Sequence, residues 1–138
     1  MANEIALDYE GSLRANVEWP GGTKQVIGAP SNCGGCDAPS ASPKDLFAAG
    51  YGSCVTMAMD LAAKKHGFDI AGARVIVSSV WAADAPVLER LDTTLVLPCE
   101  LAEDQLDILR QGTHNCPIHN SLRETAETSV AFKVAQTV

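Results

Sequence analysis

A chain of 138 residues, 46% apolar and 20% charged, has the size and composition of one globular domain with a real core, not of a disordered polypeptide. Its net charge of -7 offers no basic face, so neither nucleic acid nor a membrane surface is expected as a partner. The opening Met1-Ala-Asn-Glu4 lacks the basic and apolar regions of a secretion signal, and the uncharged run from Leu46 to Met59 is short for a bilayer span; the expected location is the cytoplasm.

The first third reads as short strands around residues 5–9, 13–19 and 25–27, where apolar residues roughly alternate between turn signals at Gly11 and Pro20-Gly21-Gly22. A loop rich in Gly, Pro, Ser and Cys follows over residues 28–41. A helix is then expected from Pro43 to about His66. Ser42 is its N-cap, Pro43 its first residue and Asp45 the third member of a capping box, with Gly67 as the stop. No polar face interrupts the stretch from Leu46 to Met59, so this helix has to be enclosed by its own domain or by a partner subunit.

Strands are expected over 74–81 and 91–97, a second helix over 102–111, a short helix opened by Pro117, and a closing strand over 130–134. The resulting order β-β-β-α-β-β-α-β belongs to the α+β class, in one domain spanning residues 1–138.

Five cysteines in a cytoplasmic chain point to catalysis, redox sensing or metal ligation, not to a fixed disulfide framework. Cys54 lies inside the apolar helix, two residues after Gly52. Gly50 and Gly52 each cost a helix interior about 1 kcal/mol against alanine. They call for either a close backbone approach or a break in the helix. A break would place Cys54 in the first turn of a new helix, where free N–H groups favour a thiolate.

Cys116, in His114-Asn-Cys116-Pro-Ile-His119, is placed near an N-cap by Pro117, with an ordinary turn as the plain alternative. The same histidines and Cys116 have ligand chemistry but are few for a metal site. Cys33-Gly-Gly-Cys36 lacks the second pair that a structural zinc site uses and stands six residues before the helix start, so it reads as an accessible loop pair. Cys99, after Pro98, reads as structural.

Two blocks carry a family resemblance. Ser42-Pro-Lys-Asp-Leu-Phe-Ala-Ala-Gly-Tyr-Gly-Ser-Cys54-Val-Thr-Met-Ala-Met59 resembles one signature of the OsmC/Ohr family of osmotically induced and organic hydroperoxide resistance proteins, and Cys116-Pro-Ile-His-Asn-Ser-Leu122 resembles the other. The resemblance implies an α+β fold, an intertwined homodimer and sites at the subunit interface. It also implies a thiol peroxidase that needs no metal or organic cofactor. In that chemistry Cys54 attacks a hydroperoxide and becomes a sulfenic acid, Cys116 condenses with it to a disulfide, and an external dithiol restores both.

The family also uses an arginine and a glutamate to orient the peroxide. Arg14, in the early hairpin, corresponds to the arginine; Lys44 stands where the glutamate is usual, and Asp45 lies about 100° away around the helix. A redox sensor with little turnover, and a metal module built on Cys33 and Cys36 with His114 or His119, are the competing readings.

Overall fold

The computed structural model describes residues 2–29 and 41–136. Cys33 and Cys36 lie outside the described residues. The chain divides into two compact units, Met1–Phe47 and Ala48–Val138.

In the first unit, β1 (Ala6–Gly11), β2 (Arg14–Glu18) and β3 (Lys24–Gly28) form an antiparallel meander in the order β1-β2-β3. Gly28 of β3 pairs with Arg14 of β2. The β1–β2 connection is tight: Ser12 and Leu13 both carry positive φ, 54° and 59°, the signature of a type I′ hairpin turn. Leu13 is an unusual residue for that region. Its N–H donates to the Tyr9 hydroxyl at 3.2 Å and its carbonyl accepts from Ala29 N at 3.0 Å, which hold the conformation in place.

The long helix α1 (Pro43–Lys65) begins as its sequence dictates. Ser42 Oγ accepts from Asp45 N at 3.1 Å while Asp45 Oδ2 accepts from Ser42 N at 3.0 Å, a reciprocal capping box. The helix ends where Gly67 takes φ +83°. It is continuous through Gly50 and Gly52, so the break considered from the sequence does not occur, and Cys54 sits mid-helix. The reason for Gly52 is close approach: a Cβ there would lie 2.5 Å from Val77 Cγ2.

With 23 residues and a mean hydropathy of 1.3 over its most apolar 18, α1 is long and apolar enough to cross a membrane, more so than the uncharged run from Leu46 to Met59 suggests. Tyr51, Gly52, Val55, Ala58, Met59 and Ala63 on it are buried.

In the second unit, β4 (Arg74–Trp81), β5 (Leu88–Leu97) and β6 (Glu127–Val134) make a mixed sheet in the order β4-β5-β6. β4 pairs antiparallel and β6 parallel to β5. A parallel neighbour requires a crossover. It is supplied by α2 (Glu103–Gly112), a 3-10 turn (Thr113–Asn115) and α3 (Pro117–Leu122). The register of the parallel pair places Arg90 beside Glu127 and Asp92 beside Ser129, and both pairs are hydrogen-bonded. Leu91, Leu95 and Leu97 on the inner face of β5 join Tyr51, Val55 and Met59 of α1 and Leu109 of α2 in the core.

Gly112 closes α2 against α1. A Cβ there would meet Ala62 Cβ at 2.9 Å and backbone atoms of Ala58 and Met59 at 3.1 Å. Gly112→Ala is therefore expected to lower stability by about 1–3 kcal/mol, since helix backbone cannot rotate away. Gly50, exposed with no atom within 4 Å of a built Cβ, should behave oppositely. Gly50→Ala should raise stability by up to about 1 kcal/mol. Urea midpoints of the two variants, shifted in opposite directions from the parent, check both.

Candidate active site

Cys54 faces outward from the middle of α1, half-buried, on the wall of a cleft of about 500 Å³. Met57, Leu61, Ile108 and Pro117 make much of that wall apolar, with Lys65 and His66 at the C-terminal end of the helix. Cys54 has no helix start beside it, so free N–H groups of the kind anticipated for a broken helix are not available to its sulfur.

Cys116 takes the N-cap of α3 with Pro117 in the first turn, as the sequence implies. Its Sγ accepts from His119 N at 3.4 Å. An N-cap ordinarily favours a thiolate, but burial outweighs that effect here. Cys116 is fully buried, and its pKa is raised, first by burial and then by the hydrogen-bonding Cys54 side chain; the amide donors of His119 and Ile118 oppose these effects without overcoming them. Cys116 is held as a thiol. The two cysteines, 62 positions apart (116 minus 54), lie close enough for the Cys54 side chain to raise the Cys116 pKa.

Behind Cys116 stands a second buried pair. Tyr51, completely enclosed, lies with its hydroxyl 3.2 Å from His119 Nδ1, and His119 is itself buried. Burial raises the Tyr51 pKa, with a further rise from Cys116 and a small opposing effect of the Thr128 hydroxyl. Burial lowers the His119 pKa, helped by His114 and Arg123. A neutral imidazole beside a protonated phenol fixes the direction: Tyr51 O–H donates to Nδ1, leaving the proton of His119 on Nε2. The His114 ring meets His119 edge-on at 6.2 Å. His119 was visible in the sequence as a flank of Cys116, whereas Tyr51 was read only as part of an apolar run. Its one available signal was its place three residues before Cys54, on the same side of a helix.

Arg14 belongs to the first unit. It opens β2 immediately after the positive-φ Leu13 and lines a small pocket with Tyr9, Ile27 and Pro43. Its Nε is buried and has no hydrogen-bond partner among the described residues. Asp45 is engaged in the α1 capping box. Cys99 is exposed in the turn after β5 and not packed in a core. Among the described residues no three His, Cys, Asp or Glu side chains form a group able to hold a metal ion.

The description "OsmC-like protein" is that of the family whose model matches residues 34–131. The chain belongs to the OsmC-like family. Its fold is shared with a putative osmotic stress induced and detoxification response protein from Psychrobacter arcticus, at 23% identity and TM-score 0.85 over 96% of each chain. An organic hydroperoxide resistance protein from Elizabethkingia anophelis aligns over 98% of this chain and 99% of its own, at 23% identity and TM-score 0.72. The OsmC like protein from Mycoplasma pneumoniae aligns over 99% of both chains at 12% identity and TM-score 0.82. No curated protein sequence gives a significant match. Both signature blocks of this OsmC-like chain, around Cys54 and around Cys116, fall within the matched residues.

The opposed shifts in the buried cluster set a pH window for stability. The His119 pKa is lower folded than unfolded, so the unfolded chain binds more protons once pH falls below about 6.5. Stability is thus full above that value and declines as pH drops through it. The Cys116 pKa is higher folded than unfolded, so its contribution is present below about 8.5 and is lost as pH rises beyond it. The urea midpoint should peak between about pH 7 and 8. His119→Asn should flatten the acid side of that curve, and Cys116→Ser the alkaline side.

Proposed function

We propose that the chain is a cysteine-based peroxidase, a single OsmC-like domain working as a homodimer, that reduces organic hydroperoxides and possesses no cofactor of its own. One observation carries the reading: a half-exposed thiol, Cys54, opens onto an apolar cleft and neighbours a buried thiol, Cys116, whose pKa is raised by burial and by Cys54. Cys54 attacks the terminal O–O bond, releases the alcohol and becomes a sulfenic acid. Cys116 displaces that hydroxyl as water to give the Cys54–Cys116 disulfide, and an external dithiol reduces it. An apolar cleft favours an alkyl hydroperoxide over hydrogen peroxide, because only the former buries apolar surface on binding. Family membership supports a redox or hydroperoxide-resistance role, as do structural neighbours that are organic hydroperoxide resistance proteins.

Arg14 is the group proposed to orient the peroxide. An unpartnered, buried guanidinium nitrogen beside a strained turn supports that assignment, since such costs concentrate at functional positions. The two thiols would serve a cytoplasmic redox sensor equally well at the level of geometry, and turnover separates the readings. With dihydrolipoamide and an alkyl hydroperoxide, the parent protein should consume peroxide continuously. Cys54→Ser should abolish consumption, Cys116→Ser should leave a trappable sulfenic acid on Cys54, and Arg14→Ala should slow the first oxidation at least tenfold with the fold intact. A single oxidation without turnover would favour the sensor; peptide mapping that finds no Cys54–Cys116 linkage would remove both.

The homodimer is supported by unburied apolar surface in both units. Ile5, just before β1, and Leu7 and Tyr9 on it alternate with 51–65% exposure, and Met57 and Leu61 on α1 are about equally open, at 65% and 64%. Contiguous apolar surface of this kind commonly marks an interface. Light scattering at micromolar concentration should give twice the 14.5 kDa chain mass. Leu7→Glu or Leu61→Glu should weaken the dimer at least tenfold.

A further inference from the structure

Cys116 has two attachments that disulfide formation sets against each other. Its Sγ is the N-cap acceptor of α3, taking the His119 amide at 3.4 Å, and the same sulfur is the one that joins Cys54 in the chemistry proposed above. We propose that this makes α3 a redox-sensitive strap: Cys116 as a thiol caps and fastens it, and Cys116 in a disulfide releases it. The device rests on the peroxidase reading and adds a change of conformation to it.

Little else fastens α3. It has six residues, Pro117–Leu122, of which His119 alone is fully buried. A helix this short is not stable by itself, because nucleating it costs more than so few hydrogen bonds return. Pro117 brings no N–H, so the orphan amides of the first turn are those of Ile118 and His119. The Cys116 sulfur takes the His119 amide, and the His119 ring, with Nδ1 3.2 Å from the Tyr51 hydroxyl, pins the same residue to α1. Asn120 Nδ2 also donates to the His114 carbonyl at 2.8 Å, but that bond ties α3 to its own connection and not to α1.

Closure condenses the Cys116 thiol with the Cys54 sulfenic acid. The S–S bond forms, the S–O bond breaks, and the thiol proton leaves with the hydroxyl as water. No further oxidant enters, since the peroxide has already oxidised Cys54. The Cys116 sulfur is thereby drawn onto α1 at Cys54, while the His119 ring is held about one turn away, at Tyr51. To keep its amide at 3.4 Å, α3 would have to travel with the sulfur, and the Tyr51–His119 bond opposes that movement. Sulfur is a weak acceptor, so of the two bonds the cap gives way.

Release alters the cleft. Pro117, the first residue of α3, and Asn115 before it line the cleft together with Cys54. A loosened strap widens it after oxidation, when the next reactant is a dithiol that has to reach a disulfide with one sulfur buried in the thiol form.

Residue-resolved hydrogen exchange on the full chain tests this. It compares the thiol form with protein oxidised by one equivalent of an alkyl hydroperoxide, the disulfide being quantified by peptide mapping. Amides from His119 to Arg123 should exchange at least about fivefold faster in the disulfide form, the scale set by loss of one N-cap, while those of β5 stay within about twofold. Two substitutions separate the cap from the oxidation. Cys116→Ala removes the acceptor and should speed the same amides to the same extent with no peroxide added. Cys116→Ser keeps a capping oxygen and should hold them within about twofold of the parent thiol form, with or without peroxide. Equal protection of α3 in the thiol and disulfide forms overturns the strap, as does a Cys116→Ala variant whose α3 is protected like the parent's. Faster exchange throughout the second unit, β5 included, marks general destabilisation and overturns it too. Absence of a Cys54–Cys116 disulfide from the oxidised protein overturns the peroxidase reading and the strap with it, even where the alanine variant shows the cap.

Discussion

Within the second unit, everything near the thiols depends on how closely other elements can approach α1. A helix apolar on all sides is stable only when covered, and the cover is set by the smallest residues at the contacts. Gly52 admits Val77 of β4 to within the space a methyl group would need, and Gly112 brings the end of α2 onto the backbone of Ala58 and Met59. The chain leaving Gly112 has four residues in which to reach Cys116, through the 3-10 turn. With its starting point pressed against one stretch of α1, its end meets the helix about one turn earlier, at Cys54. The contact between two cysteines far apart in sequence thus follows from two glycines and one short connection.

That contact is electrically asymmetric. An N-cap ordinarily favours an anion, by a few tenths of a kcal/mol to about 1 kcal/mol. Full burial of a charged group costs more than that unless it is well compensated. At Cys116 burial prevails, and the nearby Cys54 adds to the same effect because two thiolates in contact repel. Cys54 is only half-buried, with one side facing the cleft. The outer sulfur lines the cleft and the inner one is fully enclosed, so a solute entering the cleft reaches Cys54 before Cys116.

Much of this was legible in the sequence because the signals were local. Ser42, Pro43 and Asp45 specify a helix start through bonds within four residues, and the start is where they put it. Pro117 fixed the N-cap at Cys116 in the same way, and richness in Val and Ile gave β4 to the residue. What was not legible depended on partners distant in the chain. Gly50 and Gly52 look identical in sequence, yet one faces open space and the other faces Val77. The sign of the Cys116 shift required knowing how deeply α3 is buried. The parallel seat of β6 beside β5 is a long-range choice, and Tyr51 acquires a partner only because His119 arrives from 68 positions away.

The first unit poses the opposite physical problem. It has a short meander whose large buried side chain is Val17, and against that small gain it carries a left-handed Leu13 and an orphaned Arg14 Nε. Strained backbone costs about 1–3 kcal/mol at such a position, and a buried donor without a partner costs a similar amount. A sheet of this size cannot sustain both from its own core. Among the described residues, the exposed apolar surface able to supply it is Ile5 just before β1 and Leu7 and Tyr9 on it. Tyr9 links the two accounts, since its hydroxyl also receives the Leu13 N–H that keeps the turn in its strained form. Whatever covers that face of β1 therefore also steadies the turn that presents Arg14. Cover on that face and the placement of the Arg14 guanidinium are thus coupled through one tyrosine.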